Sequence, residues 1–168
     1  MQLIVIPCSK QKQDRRAPLR ELYTGPHFRA ALAWALTVAP ADRVLVLSAL
    51  YGLRQLDDEL SPYDYTIQDR KRNKPTFPPP PLPVGMRRRG FMVSVCGREY
   101  DEWLRPDFNP VAGLGIGQRL AWFKANRGRI PGVVLTKADL ERRWRELDAD
   151  LFAQEYAGEW RERKEGAA

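Results

Sequence analysis

Two short apolar runs, each followed by a polar loop, most constrain the fold of this chain. Residues 3–6 (LIVI) and 44–47 (VLVL) lack the alternation of apolar and polar residues that a half-exposed strand shows. Uninterrupted runs of this kind are typical of parallel strands, whose two faces are both covered by helices. Between them, Thr24, Gly25 and Pro26 have the residue types of a helix start. A strand, a helix and a second strand predict a βαβ unit with a right-handed crossover.

The rest of the chain extends this pattern into a complete α/β architecture. Residues 91–96 (FMVSVC) read as a third strand, and residues 98–104, 118–126 and the segment from 136 onward as helices. A chain of 168 residues with 43% hydrophobic and 29% charged residues is typical of one globular domain. We therefore predict a single domain over residues 1–165, built as a three-layer α/β/α fold around a mainly parallel sheet.

Several protein classes are excluded by composition. No run approaches the ~18 apolar residues that a membrane-spanning helix needs. The first ten residues read as a strand and not as a signal peptide, so we expect a cytoplasmic protein without a membrane partner. Cys8 and Cys96 are the two cysteines and His27 is the one histidine. We expect neither a disulfide framework nor a metal site, and no cofactor.

The net charge of +7 is concentrated in one stretch. Residues 66–90 hold seven cations, one acid and six of the 14 prolines. Because proline lacks an N–H and fixes φ, we predict a long polyproline-containing loop and no helix there. A basic loop suits a polyanion, although a soluble insertion without any ligand fits the same composition. The candidate contacts to a nucleic-acid backbone are Arg70, Lys71, Arg72, Lys74, Arg87, Arg88 and Arg89.

Small, polar and basic residues follow the predicted strands. In parallel α/β sheets, ligands bind outside the carboxyl ends of the strands. Cys8, Ser9 and Lys10 follow the first strand, and Ser48, Tyr51 and Gly52 follow the second. Such residues suit an anion or a nucleotide, whereas the alternative is a loop cap with a solvated lysine. A reactive Cys8 would need a base such as His27, and buried structural thiols are the alternative.

Three further features have a structural and a functional interpretation. Gly113, Gly115 and Gly117 lack the spacing of a dinucleotide-binding turn. They indicate either a tight turn before a helix or a phosphate-binding turn at the start of that helix. An acidic group follows the second strand, namely Asp57, Asp58 and Glu59. One of these carboxylates is a candidate general base, and the alternative is a solvated turn. Tyr63 and Tyr65 lie beside the basic stretch, where they would stack on bases or pack against the sheet.

Residues 7–10 (PCSK), 22–25 (LYTG) and 47–53 (LSALYGL) resemble a family of uncharacterised phage and bacterial domains. Residues 47–66 also resemble the YaaA-type peroxide-stress proteins, whose pattern is Leu-Ser-Gly-Leu-Tyr-Gly, Leu-Arg-Pro-Leu-Asp and Pro-Tyr-Arg-Leu. Ala49, Gln55 and Asp64 depart from that pattern. Cys8, Ser9 and Lys12 are in register with a uracil-DNA-glycosylase-like α/β/α domain of archaeal tRNA-guanine transglycosylase-like proteins.

These resemblances imply an α/β domain that is linked to nucleic acid, and we expect DNA as a partner more than RNA. We expect residues 66–90 to hold phosphates while the strand ends receive a nucleobase or nucleotide. Whether the chain is an enzyme stays open. If it is one, we expect N-glycosidic or base-modification chemistry. The alternatives are a non-catalytic DNA-binding stress protein and an enzyme acting on free nucleotides. The predicted catalytic residues are Ser48, Tyr51 and Asp57; the predicted ligand-binding residues are Cys8, Ser9, Lys10, Lys12, Gly52 and Tyr63.

Overall fold

The protein is described by a computed structural model that covers residues 2–73 and 91–132. The strands are β1 (Gln2–Pro7), β2 (Ala17–Pro18), β3 (Val44–Ser48), β4 (Gly52–Gln55), β5 (Glu59–Leu60) and β6 (Phe91–Ser94). The helices are α1 (Leu19–Leu22), α2 (Pro26–Val38), α3 (Ile67–Asn73), α4 (Arg98–Leu104) and α5 (Ile116–Ala125), with a 3₁₀ turn at Ala41–Arg43.

The main sheet has four strands in the order β4-β3-β1-β6. The central strand β1 pairs in parallel with β3 on one side and with β6 on the other, and Ile4 lies opposite Val44 and Val93. The edge strand β4 is antiparallel to β3. The sheet is therefore mixed but mainly parallel, which confirms the predicted α/β class.

Successive side chains along each strand point to opposite faces of the sheet, so the core has one part on each face. Ile4 and Ile6 face the larger apolar cluster, which contains α2 and α5. Trp34 of α2 meets Trp122 of α5 with ring centroids 5.2 Å apart. Val5 faces the smaller cluster on the opposite side, which α4 covers. Both faces of the parallel strands are thus buried, as their uninterrupted apolar sequence predicts.

Helix α2 begins where the sequence places it. Gly25 is the N-cap with an extended backbone, and Pro26 is the first helical residue. Proline is well suited to this position because its missing N–H has no acceptor in the first turn. Helix α4 occupies residues 98–104 as predicted, and α5 begins at Ile116, two residues before its predicted start. Because Gly25 lies against Ser9, two residues after β1 ends, the amino end of α2 lies at the carboxyl edge of the sheet.

The prediction that residues 66–90 contain no helix is wrong for the first part of the stretch. Residues 67–73 form α3. Asp69 Oδ2 accepts hydrogen bonds from the backbone N (2.8 Å) and the Oγ1 (2.6 Å) of Thr66, which satisfies donors at the helix start. The prolines begin only at Pro75, so nothing in 67–73 opposes a helix. Residues 74–90 and the helix predicted from residue 136 lie outside the described residues.

The antiparallel strand β4 is not among the strands predicted from the sequence. The chain reverses after Ser48 in a tight turn in which Gly52 adopts a φ of 73°, a conformation that favours glycine. Strand β4 then pairs Gly52 with Ser48 and Gln55 with Leu45. Residues that follow β4 are therefore carried back toward the amino edge of the sheet.

The part of the chain that the structure describes has no helix long and apolar enough to cross a membrane. Over the same residues, no three His, Cys, Asp or Glu side chains come together as a metal-binding group.

Candidate ligand site at the carboxyl edge of the sheet

Six polar side chains from separate segments meet at the carboxyl edge of the sheet. Strands β1 and β3 end there, and the segment after β5 returns to the same edge. We call the group the carboxyl-edge cluster; its members are Cys8, Lys12, Tyr23, Ser48, Tyr63 and Tyr100. The sequence separations, up to 92 residues between Cys8 and Tyr100, mean that only the fold brings them together.

A chain of hydroxyl groups forms the centre of the cluster. Ser48 Oγ and Tyr63 Oη are 2.7 Å apart, and Tyr63 Oη and Tyr23 Oη are also 2.7 Å apart. The backbone N–H of Tyr51 donates to Ser48 Oγ over 3.1 Å. Tyr63 has one hydroxyl proton, so it donates to one of its two hydroxyl neighbours and accepts from the other. The protons of the chain can therefore point in either direction.

Burial keeps these tyrosines neutral. It raises the pKa of Tyr23 to about 12, and the nearby Cys8 acts in the same direction. Burial is also the largest cause of the raised pKa of Tyr63. A phenol whose charged form is disfavoured stays protonated at physiological pH. The cluster therefore offers neutral hydroxyl donors and acceptors, not phenolates.

Lys12 places the one amine of the cluster against these aromatic rings. Its Nζ lies 4.1 Å from the ring centroid of Tyr63 and 5.7 Å from that of Tyr23. The same nitrogen donates to the backbone oxygen of Lys10 over 3.3 Å. Partial burial lowers the pKa of Lys12, and Cys8 and Asp64 oppose that shift. The amine is thus held in a less aqueous setting than an ordinary surface lysine.

The two cysteines have different surroundings. Cys8 is half-buried, and its Sγ lies 3.2 Å from the Tyr100 hydroxyl. Cys96 is fully buried, and burial raises the pKa of its thiol far above the usual value. Such a thiol stays protonated and is unreactive. His27 does not pair with Cys8: its ring packs against Phe123 at 5.6 Å, and its Nε2 has no hydrogen-bond partner among the described residues.

Most of the predicted strand-end residues lie at this edge. The ring of Tyr51 meets that of Tyr63 edge-on, at 5.3 Å and 87°. Ser9 Oγ accepts a hydrogen bond from the N–H of Gln11, whereas the Lys10 side chain is exposed. Gly52 forms the turn beside Ser48.

Asp57 does not join the cluster. It lies after β4, beyond the pairing of Gln55 with Leu45, in a segment whose backbone accepts hydrogen bonds from α1. Its side chain is 74% exposed and forms an ion pair with Arg20. The expectation that Asp57 acts beside Ser48 stays a prediction: β4 leads away from Ser48, and the described contact of the Asp57 side chain is with Arg20.

Tyr23 and Tyr100 belong to the cluster although the sequence does not place them there, and Arg70 lies beside the cluster with contacts that the sequence does not predict. Tyr23 lies within the LYTG segment, which was the one available signal for it. Tyr100 lies in a helix that carries no motif. Arg70 was expected only as a phosphate contact, yet its Nη1 donates to the Ala49 oxygen over 2.9 Å. Its guanidinium also stacks on Trp103, 4.0 Å from the ring centroid.

Arg70 joins the start of the basic stretch to the turn that follows Ser48. Arg72 is exposed on the same helix. The structure describes no side chain for Lys71, and Lys74, Arg87, Arg88 and Arg89 lie outside the described residues. The basic stretch therefore begins beside the carboxyl-edge cluster.

A family model described as a family of unknown function (DUF6884) matches residues 3–76, which is less than half of the chain. The matched segment runs from β1 to just beyond α3 and includes every member of the carboxyl-edge cluster except Tyr100. No curated protein and no solved structure matches the chain.

Proposed function

We propose that this protein binds nucleic acid, with DNA favoured over RNA, and receives a nucleobase or nucleotide at the carboxyl-edge cluster. The observation that carries the proposal is the hydrogen-bonded chain Ser48–Tyr63–Tyr23 beside Tyr51 and Lys12, at the carboxyl ends of parallel strands. Open parallel sheets bind their ligands at this edge.

The chemistry of the cluster suits a flat polar ring. Aromatic side chains offer faces or edges on which a base can stack. The Ser48 and Tyr63 hydroxyls can donate or accept, because the direction of their shared hydrogen bond is reversible. Lys12 adds a positive charge that suits a nearby phosphate or a carbonyl oxygen. A catalytic role for Asp57 is not part of this proposal, since the described contact of its side chain is the ion pair with Arg20.

The position of α3 supports a polymer over a free nucleotide. Arg70 fixes α3 to the Ala49 oxygen, one residue after Ser48. The cations that follow Arg70 therefore start next to the cluster. A nucleic-acid strand whose phosphates contact the basic stretch would place one of its bases at the carboxyl edge of the sheet.

A binding titration across a salt series tests the proposal. Duplex and single-stranded DNA are titrated into the full chain, together with each of the four 2′-deoxynucleoside 5′-monophosphates. Each phosphate contact adds about −0.9 to the log–log salt slope for duplex DNA. The test variant is Lys10→Gln with Arg72→Gln, which removes two exposed cations near the cluster.

The matched control removes two cations far from the cluster. Arg119 near the start of α5 donates to the Cys96 oxygen at the carboxyl edge, so α5 runs away from that edge. Lys124 lies at its far end and Arg127 just beyond it, and both are exposed. We expect Lys10→Gln with Arg72→Gln to flatten the salt slope more than Lys124→Gln with Arg127→Gln. Equal slopes in both variants, or mononucleotide binding without any polymer binding, would overturn recognition of nucleic acid.

A further inference from the structure

The charged amine of Lys12 covers one face of the Tyr63 ring. Its Nζ lies over that ring, 4.1 Å from the centroid, and 5.7 Å from the centroid of Tyr23. Both distances are inside the roughly 6 Å range of a cation–π contact. The exposed carboxylate of Asp64 lies close enough for its charge to act on that of Lys12. Two aromatic rings and a carboxylate thus surround a position that suits a cation.

The side chain of Lys12 can leave this position although its backbone is fixed. Lys12 forms an antiparallel bridge with Tyr23. Next to it, the N–H of Gln13 donates to the Leu22 oxygen over 2.8 Å. The amine itself donates to the Lys10 oxygen over 3.3 Å and forms no ion pair among the described residues. Because the ammonium is strongly hydrated in water and sits on a flexible four-carbon stem, it can return to solvent without moving the backbone.

The covered face of Tyr63 is also a face on which a base would stack. A ring face that holds an ammonium cannot hold a base as well, and Tyr51 already meets the same ring edge-on at 5.3 Å. A neutral base that displaced Lys12 would remove its cation–π contacts and put nothing equivalent in their place. A base that carries its own positive charge would restore these contacts and keep the stacking.

We propose that the carboxyl-edge cluster is a cation site that Lys12 fills in the free protein, and that its ligand is a positively charged nucleobase, such as one methylated at a ring nitrogen. The choice of a nucleobase rests on the proposed function, whereas the preference for a cation rests on the contacts of Lys12. Binding exchanges one cation for another. The charged base stacks on Tyr63 with Asp64 as its counter-charge, and the Lys12 ammonium moves to solvent or to a phosphate of the same strand.

Two isomeric nucleosides test the preference for charge. 1-Methyladenosine is a cation at neutral pH, whereas N6-methyladenosine has the same atomic composition and is neutral. Each is titrated into the full chain by isothermal titration calorimetry, with adenosine as the unmethylated reference. We expect 1-methyladenosine to bind several-fold more tightly than either neutral nucleoside. Equal affinities for the two isomers, or no binding of any nucleoside, would overturn the proposal.

Substitutions at Lys12 test its role as the resident cation. Lys12→Ala uncovers the ring face, so 1-methyladenosine should bind it several-fold more tightly than the wild type. Lys12→Arg supplies a planar cation that stacks well on aromatic faces, so binding should weaken. Lys10→Ala, at an exposed position two residues away, is the control and should leave the affinity unchanged.

A lysine with a merely structural role predicts weaker or unchanged binding in both Lys12 variants, and that result would overturn the proposal. Lys12→Gln also removes the charge and keeps part of the stem, so it takes the place of Lys12→Ala should that variant fail to fold.

Two further titrations separate this proposal from the proposed function. Tetramethylammonium that binds as tightly as 1-methyladenosine would overturn the choice of a nucleobase. Binding of DNA without any preference for 1-methyladenosine would overturn the cation site and leave the proposed function intact. A preference for 1-methyladenosine without binding of DNA would support the cation site and overturn recognition of the polymer.

Discussion

The backbone of Gly25 lies directly against the side chain of Ser9 at the carboxyl edge of the sheet. A methyl group on Gly25 would fall inside the van der Waals distance of Ser9 Oγ and 3.2 Å from Ser9 Cβ. Gly25 is also the N-cap of α2, with φ of −63°, so an alanine is compatible with its backbone conformation. Space, not backbone strain, is what requires glycine here.

Gly25→Ala should destabilise the protein by about 1–3 kcal/mol, the usual effect of overpacking a filled site. The free energy of unfolding is measured by urea denaturation. In a Ser9→Gly background the same substitution should have a much smaller effect, since both nearby atoms are then absent. A double-mutant cycle reports this coupling directly.

Gly117→Ala provides the opposite expectation as a control. Gly117 lies in the first turn of α5, and among the described residues no neighbouring atom lies within 4 Å of where the alanine methyl would sit. Alanine is the better helix former, so stability should stay equal or rise. A loss in Gly25→Ala that persists unchanged in the Ser9→Gly background would contradict the steric explanation.

Tyr63→Phe should destabilise the protein by about 1–3 kcal/mol, because it leaves Ser48 and Tyr23 without their shared hydroxyl partner. Thermal or urea unfolding measures the effect. Tyr65→Phe is the control, since Tyr65 is also half-buried but has no hydrogen bond from its hydroxyl among the described residues. We expect it to change stability by less than about 0.5 kcal/mol. Similar losses in both variants would mean that the hydroxyl chain contributes nothing of its own.

The βαβ core could be predicted because local sequence determines it. The apolar runs ending at Ile6 and Leu47 specify buried parallel strands, and Gly25 followed by Pro26 specifies the start of α2. The choice of the carboxyl edge as the site followed from that topology. That topology predicts that Cys8 and Ser48 lie at the same edge of the sheet.

The remaining members of the cluster depend on long-range geometry. Asp57 and Tyr63 are six positions apart, yet β4 carries Asp57 away from Ser48 and the segment after β5 brings Tyr63 back. No hydrophobic periodicity in the sequence shows that the chain leads away from Ser48 at Asp57 and returns to it at Tyr63. The contact of Tyr100 with Cys8 could not be predicted either, because 92 residues separate the two in the sequence. The composition of residues 66–90 as a whole does not predict helix α3, because the prolines that oppose a helix begin only at Pro75.

Alkaline pH should destabilise the protein through Tyr23. Burial raises the pKa of Tyr23 from 10.0 to about 12, so the native state holds this proton after the unfolded state has lost it. Stability from this group is full below pH 10 and is lost as the pH rises through 12. This difference between the native and unfolded pKa of Tyr23 corresponds to about 3 kcal/mol of stability. The raised pKa of Tyr63 acts in the same direction, whereas the lowered pKa of Lys12 acts in the opposite one.

Comparison with Tyr23→Phe isolates this contribution. Urea midpoints are measured for both proteins at pH 9 and pH 11.5. We expect the fall in stability between these pH values to be smaller in Tyr23→Phe, while Tyr65→Phe should follow the wild type. An equal fall in wild type and Tyr23→Phe would show that Tyr23 is not the group responsible.

Arg70→Lys should loosen the turn after Ser48 while keeping the positive charge. Lysine lacks the planar fork that lets Arg70 donate to the Ala49 oxygen and stack on Trp103 at once. A hydrogen bond of about 0.5–1.5 kcal/mol and a cation–π contact of about 0.5–1 kcal/mol are at stake, so we expect a loss of about 1–2 kcal/mol. Hydrogen exchange of the Leu50 and Tyr51 amides should become faster. Arg72→Lys, on the exposed side of the same helix, should change neither measurement. Equal exchange rates in wild type and Arg70→Lys would mean that α3 does not hold this turn, and the link between the basic stretch and the cluster would then rest on charge alone.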